Sequence, residues 1–226
     1  QRLEQPPGRA KIPYSMLQAL AEGPAAPEAL VGIGSRWRKT LSDLVEQGQV
    51  ESVPAPEERP DISPGPELIP DQAAAVKAIA ADLGDFRCHL LDGVTGSGKT
   101  EVYICLLEKV ISEGGQALVL VPEIGLTPQL LRRFSQRLGL EPAVIHSSLS
   151  AGERLRSWEA ARTGRAPLLV GTRSALFTPM PRLGLIILDE EHDASFKQQE
   201  GFRYSARDVA VKRAAELGIP VVLGSA

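Results

Sequence analysis

Cys88-His89-Leu90-Leu91-Asp92-Gly93-Val94-Thr95-Gly96-Ser97-Gly98-Lys99-Thr100 is the stretch from which the rest of this chain can be read. Its first four residues make a short strand-like run, and Gly93 to Thr100 fits GxxxxGK[ST]. Glu101 to Ser112 can continue as a helix, so the motif stands between a strand and a helix, the context that gives it meaning. Gly93, Gly96 and Gly98 let the backbone N–H groups of the loop, those of Val94, Thr95 and Ser97 included, wrap a phosphate. The N-terminus of the following helix adds positive potential. Lys99 can reach the β and γ oxygens of a nucleoside triphosphate, and the Thr100 hydroxyl can ligate Mg²⁺. By itself the loop says only that phosphate is bound, and it cannot separate a kinase from a motor.

Outward from this loop, strand-like and helix-like segments alternate, the pattern of a parallel sheet with crossover helices and hence of an α/β fold. Six strands are expected, near Cys88 to Leu91, Ala117 to Val121, Ala143 to Ile145, Leu168 to Val170, Leu185 to Leu188 and Val221 to Leu223. Each is short, apolar and bounded by Gly, Pro or charge. Two helices carry clear start signals, Thr127 before Pro128 and the capping box Ser150-Ala151-Gly152-Glu153.

A phosphate-binding loop needs an acid at the end of another strand to hold the metal and orient water, and Leu185-Ile186-Ile187-Leu188-Asp189-Glu190-Glu191-His192 supplies one. Asp189 is expected to hold Mg²⁺, through water. Glu190, one residue on, is expected to point the other way and polarise the attacking water as general base. The plain alternative is an acidic strand cap.

Composition adds bounds. The 226 residues are 43% hydrophobic with a net charge of −3, so any nucleic-acid contact has to come from a local patch. Cys88 and Cys105, the only cysteines, argue for a reduced, cytoplasmic protein without disulfides or a zinc cluster, and both read as core thiols. No apolar run approaches the roughly 20 residues of a membrane span. The chain opens on Gln1 and stops at Gly224-Ser225-Ala226, where a strand enters a loop, and reads as a fragment.

Residues 54–66, with five prolines among charged residues, read as an exposed linker between two domains, 1–53 and 67–226. In the first, Tyr14 to Ala21 and Pro27 to Val31 look like short helices. Ser35 can cap a third, in which Trp37, Leu41, Leu44 and Val45 share a face and which Gly48 ends. With a Gln49 to Val53 strand this suggests a winged helix, with Arg36, Arg38 and Lys39 where a DNA reader would place them. Six basic residues balance six acidic ones in residues 1–56, so a protein-docking or spacer module fits equally well.

Between Asp193 and Asp208 the aromatics Phe196, Phe202 and Tyr204 interleave with Lys197, Arg203 and Arg207, a mixture suited to stacking on the bases of a single strand while cations meet phosphates. The alternative is a loop whose aromatics pin it to the core. Gln72, ahead of an alanine-rich helix, offers an amide that can donate to and accept from an adenine edge, or is simply a helix-start glutamine. His89 reads as structural, and His146 lies near a strand end.

The quartet Asp189-Glu190-Glu191-His192 resembles motif II of the superfamily 2 helicases, the DEAD and DEAH group. Leu120 to Gln129, with Pro122 and Glu123, looks like motif Ia. Gly171-Thr172-Arg173-Ser174-Ala175-Leu176-Phe177 looks like motif Ib, and Gly224-Ser225-Ala226 like a motif III cut one residue short. In PEIGLTPQ, DEEH and RYSARD, residues 68–226 are similar to the PriA family of primosomal replication-restart helicases. The resemblance implies a first RecA-like lobe that binds ATP and Mg²⁺ and acts on single-stranded and forked DNA with primosome proteins and single-stranded-DNA-binding protein, away from membranes. It makes Gln72 an adenine contact and His192 a relay between nucleotide and DNA. Phe196, Lys197, Phe202, Arg203 and Tyr204 become a loop coupling DNA binding to hydrolysis. The arginine finger, a second lobe and a zinc module would lie beyond Ala226. Competing readings are another superfamily 2 motor, or a winged-helix docking module with a nucleotide switch.

Overall fold

Gln116-Ala117-Leu118-Val119-Leu120 shows why a sheet forms here: all five residues are buried, with Ala117 and Val119 packed into one apolar cluster and Leu118 and Leu120 into another. A strand that is apolar on both faces needs a helical layer on each side. A computed structural model describes residues 11–21, 30, 32–33, 36–50, 64–94 and 96–226, within two compact units, 1–58 and 59–226.

In the larger unit six parallel strands line up in the order β1 (Cys88–Asp92), β8 (Val221–Ser225), β5 (Leu183–Leu188), β2 (Gln116–Leu120), β4 (Leu168–Gly171) and β3 (Ala143–Ile145). All six strands expected from the sequence are present. On one face lie α3 (Pro70–Ala80), α4 (Lys99–Ser112) and α5 (Pro128–Leu138), and on the other α6 (Ala151–Arg162) and α7 (Ala206–Leu217). Buried Val102, Ile104, Leu106, Leu107 and Val110 hold α4 to the sheet, at about 1.5–3 kcal/mol for each fully buried side chain. Thr127 Oγ1 accepts from the Leu130 amide at 3.2 Å, and Ser150 and Glu153 complete their capping box. Gln116, wholly buried, is satisfied by the Ala161 and Ala166 carbonyls and the Arg182 amide.

Register fixes the site. Asp92 pairs with Ser225 and Leu188 with Leu223, so the carboxyl ends of β1, β8 and β5 finish side by side. Ligands bind at that end of open parallel sheets. Both cysteines correct the expectation of core thiols: Cys88 is exposed, because β1 is an edge strand with one flank free of a neighbour among the described residues, and Cys105 on α4 is only half-buried. A small antiparallel pair, β6 (Lys197–Gln198) with β7 (Tyr204–Ser205), was not foreseen.

In the smaller unit, α1 (Lys11–Ala21) and α2 (Trp37–Glu46) enclose Met16, Leu30, Trp37 and Leu44, with Leu41 half-buried. Val45 lies off this face and is exposed. The amides of Gln49 and Val50 reach back to the Leu44 carbonyl instead of entering a strand, because the chain turns at Gly48, whose φ is +67°. Residues 51–53, Ser35, most of the expected 27–31 helix and residues 54–63 lie outside the described residues. Arg36, Arg38 and Lys39 are exposed, and the Arg38 guanidinium stacks over Trp37.

Candidate nucleotide site

The loop between β1 and α4 is held from three directions. The Gly93 amide donates to the Ser225 carbonyl at 3.2 Å, Lys99 Nζ to the Gly93 carbonyl at 2.7 Å, and Gln72 Nε2 to the Ser97 carbonyl at 2.9 Å. Gly98 opens α4 with φ +85°, a left-handed backbone that favours glycine, and a side chain there would displace the Gln72 amide from the loop. Thr95 lies outside the described residues, whereas Gly96, Ser97, Gly98, Lys99 and Thr100 lead into the start of α4. Beside the loop is a cleft of about 540 Å³ lined by Ile69, Gln72, Leu90, Val94, Lys99 and Val102, among others, a size typical of small-ligand sites.

Gln72 takes the helix-start role weighed for it, its Oε1 accepting from the Ile69 amide at 3.1 Å, and adds an unforeseen one, its Nε2 holding Ser97, so the side chain both starts α3 and latches the loop. It also lines the cleft.

Asp189 and Glu190 arrive at the same place from the end of β5. The Asp189 amide donates to Leu120 O at 2.9 Å, and Asp189 Oδ1 accepts from the Tyr103 hydroxyl at 2.8 Å. Burial pushes the Asp189 carboxyl above the usual aspartate range, against the lowering by the Tyr103 hydrogen bond and by Lys99. Glu190 has φ +51°, the only positive φ at a non-glycine among the described residues. Such left-handed backbone costs of order 1–3 kcal/mol and gathers at functional sites. The turn carries Glu190 Oε1 to 3.6 Å from Lys99 Nζ and Oε2 to 3.7 Å from His192 Nε2. Loop, lysine and both acids therefore meet.

Hard oxygen donors from Thr100 and Asp189, a buried lysine and a helix N-terminus fit a magnesium-bound triphosphate. Bound there, the metal would neutralise phosphate charge. The chain's own residues would grip the phosphates through Lys99 and the loop amides and take a proton from water at Glu190.

How α4 is fastened could not be read from its own residues. Glu101, 4% exposed, bonds to both Arg133 and Arg137 of α5, and Arg137 also lies 3.4 Å from Glu108. Burial alone would raise the Glu101 carboxyl, but the two arginines outweigh it and hold the group below the usual range. This ties the helix that begins with Lys99 to the one that follows the 120–129 segment.

The remaining predicted residues separate into two sets. Pro122 caps the 3-10 turn Glu123–Gly125, Glu123 accepts from Ser147 Oγ at 2.9 Å, and His192, Lys197, Phe202 and Arg203 are exposed. Arg173 Nη1 donates to the Ser195 carbonyl at 2.9 Å, and Tyr204 packs edge-on to Phe177 at 5.1 Å and near Phe202 at 6.1 Å. Three expectations of a surface role need correction. Phe196 is 2% exposed, because the 3-10 turn Ala194–Phe196 drives its ring into the core, where no base can stack on it. Gly171 is buried against the Ile145 carbonyl and Ala175, and Thr172 is buried beside it, so neither residue offers a surface to a ligand.

Residues 69–226 match the DEAD/DEAH box helicase family, well over half of the chain. The chain belongs to this family. The helicase lobe is 55% identical over 141 residues to the replication restart protein PriA of Haemophilus influenzae, covering 62% of this chain and 19% of that protein. It is 50% identical over 161 residues to PriA of Bacillus subtilis, covering 70% and 20%. Against PriA of Synechocystis the match is 46% over 203 residues, covering 89% and 24%. The chain thus spans 19% to 24% of these relatives' length. Among solved structures, RecG bound to a three-way DNA junction overlays with a TM-score of 0.52 at 18% identity, covering 83% of this chain and 23% of RecG. The UvsW helicase of bacteriophage T4 overlays at 0.51 and 16%, covering 96% and 71%. These likenesses show the fold, a RecA-like helicase lobe.

Proposed function

We propose that the chain is the nucleotide-binding lobe, with an N-terminal winged-helix domain and a Pro-rich linker, of a PriA-type DNA helicase that spends ATP to unwind DNA and restart replication at stalled forks. The observation that carries this is the convergence of Lys99, Asp189 and Glu190 at one end of the sheet, in a lobe about half identical to PriA. Lys99 and the loop amides hold the phosphates, Thr100 and Asp189 hold Mg²⁺, Glu190 is the general base, and Gln72 reads adenine. Pro122, Glu123, Arg173, Lys197, Phe202, Arg203 and Tyr204 meet single-stranded or forked DNA, and His192 relays nucleotide state. Primosome proteins and single-stranded-DNA-binding protein are the partners, in the cytoplasm.

No arginine is among the described residues that line the cleft. The 226-residue chain alone should therefore hydrolyse ATP slowly, lacking a contribution worth roughly 10³ to 10⁵ in rate. Rapid DNA-dependent turnover by this chain would refute that.

In the full-length protein, Lys99→Ala should abolish translocation. A docking module with a nucleotide switch would instead keep its partner in the same variant. Phe202→Ala with Arg203→Ala should remove DNA stimulation of ATPase, and unchanged stimulation would count against the loop's role.

A further inference from the structure

Tyr103 plays no part in the reading of the site above, yet its hydroxyl reaches one of that site's acids, Asp189. It lies one turn along α4 from Lys99, so the two side chains leave the same face of the helix. The ring is 2% exposed, and the hydroxyl's hydrogen-bond partner is Asp189 Oδ1, 86 residues away in sequence. A phenylalanine would fill the same space in the core. What the hydroxyl adds is the bond to Asp189, and burying a hydroxyl is unfavourable unless such a bond is made. Gly224 on β8 completes the arrangement: a methyl there would collide with the Tyr103 hydroxyl and lie 3.0 Å from Asp189 Oδ1. The backbone around it is pinned, with the Glu191 amide on the Gly224 carbonyl at 2.8 Å and the Asp189 amide on that of Leu120. Tyrosine on the helix, glycine on one strand and aspartate at the end of the next are fitted to one another.

We propose that Tyr103 is a positioning residue for the magnesium-nucleotide complex: seated against Gly224, its hydroxyl fixes the Asp189 carboxylate in one orientation before the metal arrives. This rests on the reading of the cleft as a Mg-ATP site. Magnesium demands near-ideal octahedral geometry, so its affinity is sensitive to how a carboxylate is turned. Partners that orient metal-facing ligands are typically worth 10- to 100-fold in metal affinity.

The test uses the 226-residue chain and a fluorescent, non-hydrolysable ATP analogue, titrated first in EDTA and then with rising Mg²⁺. Tyr103→Phe should raise the Mg²⁺ concentration for half-maximal enhancement by about 10-fold or more, while affinity in EDTA stays within about 2-fold. Gly224→Ala keeps the hydroxyl but displaces it, and should move the midpoint the same way; it decides the matter if Tyr103→Phe does not fold by circular dichroism. In an Asp189→Asn background Tyr103→Phe should add nothing, as expected of two residues acting as one unit. A Tyr103→Phe midpoint within about 2-fold of wild type, or an undiminished effect in the Asp189→Asn background, overturns the proposal and leaves the site standing. Wild-type binding that ignores Mg²⁺, or Lys99→Ala binding as tightly as wild type, overturns the Mg-ATP reading and this inference together.

Discussion

The floor of the nucleotide cleft and the segment from Lys197 to Ser205 lie within the same lobe and are built in opposite ways. On the floor four polar groups take partners from distant parts of the chain: Gln72 on Ser97, Gly93 on Ser225, Tyr103 on Asp189, Glu101 between two arginines. The 197–205 segment is a pair of two-residue strands, and the contacts that steady it are an Arg173 guanidinium on backbone carbonyls and the edge of Phe177 against Tyr204. Phe202 at its tip is 81% exposed. A site that must hold charge in fixed geometry is cross-braced, whereas the 197–205 segment, proposed above to meet DNA, is lightly attached and has few buried contacts to order it. Phe196 marks the boundary, since the residue at the root of the segment is as deeply buried as anything on the floor.

Substitutions along this gradient put the contrast at risk. Phe196→Ala should be the most damaging, at about 3–5 kcal/mol in urea unfolding, because it empties a ring-sized space in a closed core. A loss under about 1 kcal/mol would place Phe196 with the loop, not the core. Glu101→Gln should cost about 3 kcal/mol by leaving Arg137 buried without its carboxylate. Its pH dependence has a definite sign. The ionised group is favoured in the folded state, so its contribution is full above the ordinary glutamate range and fades as pH falls through the depressed value. The gap between wild type and Glu101→Gln should therefore close on acidification, and a gap that widens would contradict the assignment. Arg173→Ala should cost about 1 kcal/mol and raise hydrogen exchange across residues 195–205 without touching α4. Phe202→Ala should be the mildest, within about 0.5 kcal/mol of wild type, even where it alters the response to DNA. If it destabilises as much as Glu101→Gln, the two regions are not built differently.

Much of the floor could be read in advance because local chemistry dictates it. The loop glycines, Lys99, and the acids closing an apolar run are adjacent in sequence, and each strand announces itself by a short apolar stretch with sharp ends. What stayed hidden is pairing over distance. Nothing around Tyr103 points to residue 189, and Glu101 looks like an ordinary first-turn acid until α5 brings two arginines to it. The 197–205 region misleads for another reason. Phe196 and Phe202 are the same residue type in the same kind of company, and a single 3-10 turn sends one ring inward and leaves the other outside. Gly171 and Thr172 mislead similarly, since the close approach of the Ile145 carbonyl cannot be seen from their own segment.

The place of β8 in the sheet bears on how the protein comes into being. It lies between β1 and β5, so the strand that delivers the phosphate loop and the strand that delivers the acids touch only through a segment synthesised after both. During translation the phosphate loop emerges first and then waits, on the order of ten seconds, for the strand that will hold it beside Asp189 and Glu190. Over that interval β1 has no sheet to join and Leu90 and Leu91 have no partners. The nascent lobe is thus a half-finished sheet with two unmatched edges, and closing the gap with Val221 to Ser225 is the event that turns a polypeptide into a nucleotide-binding protein.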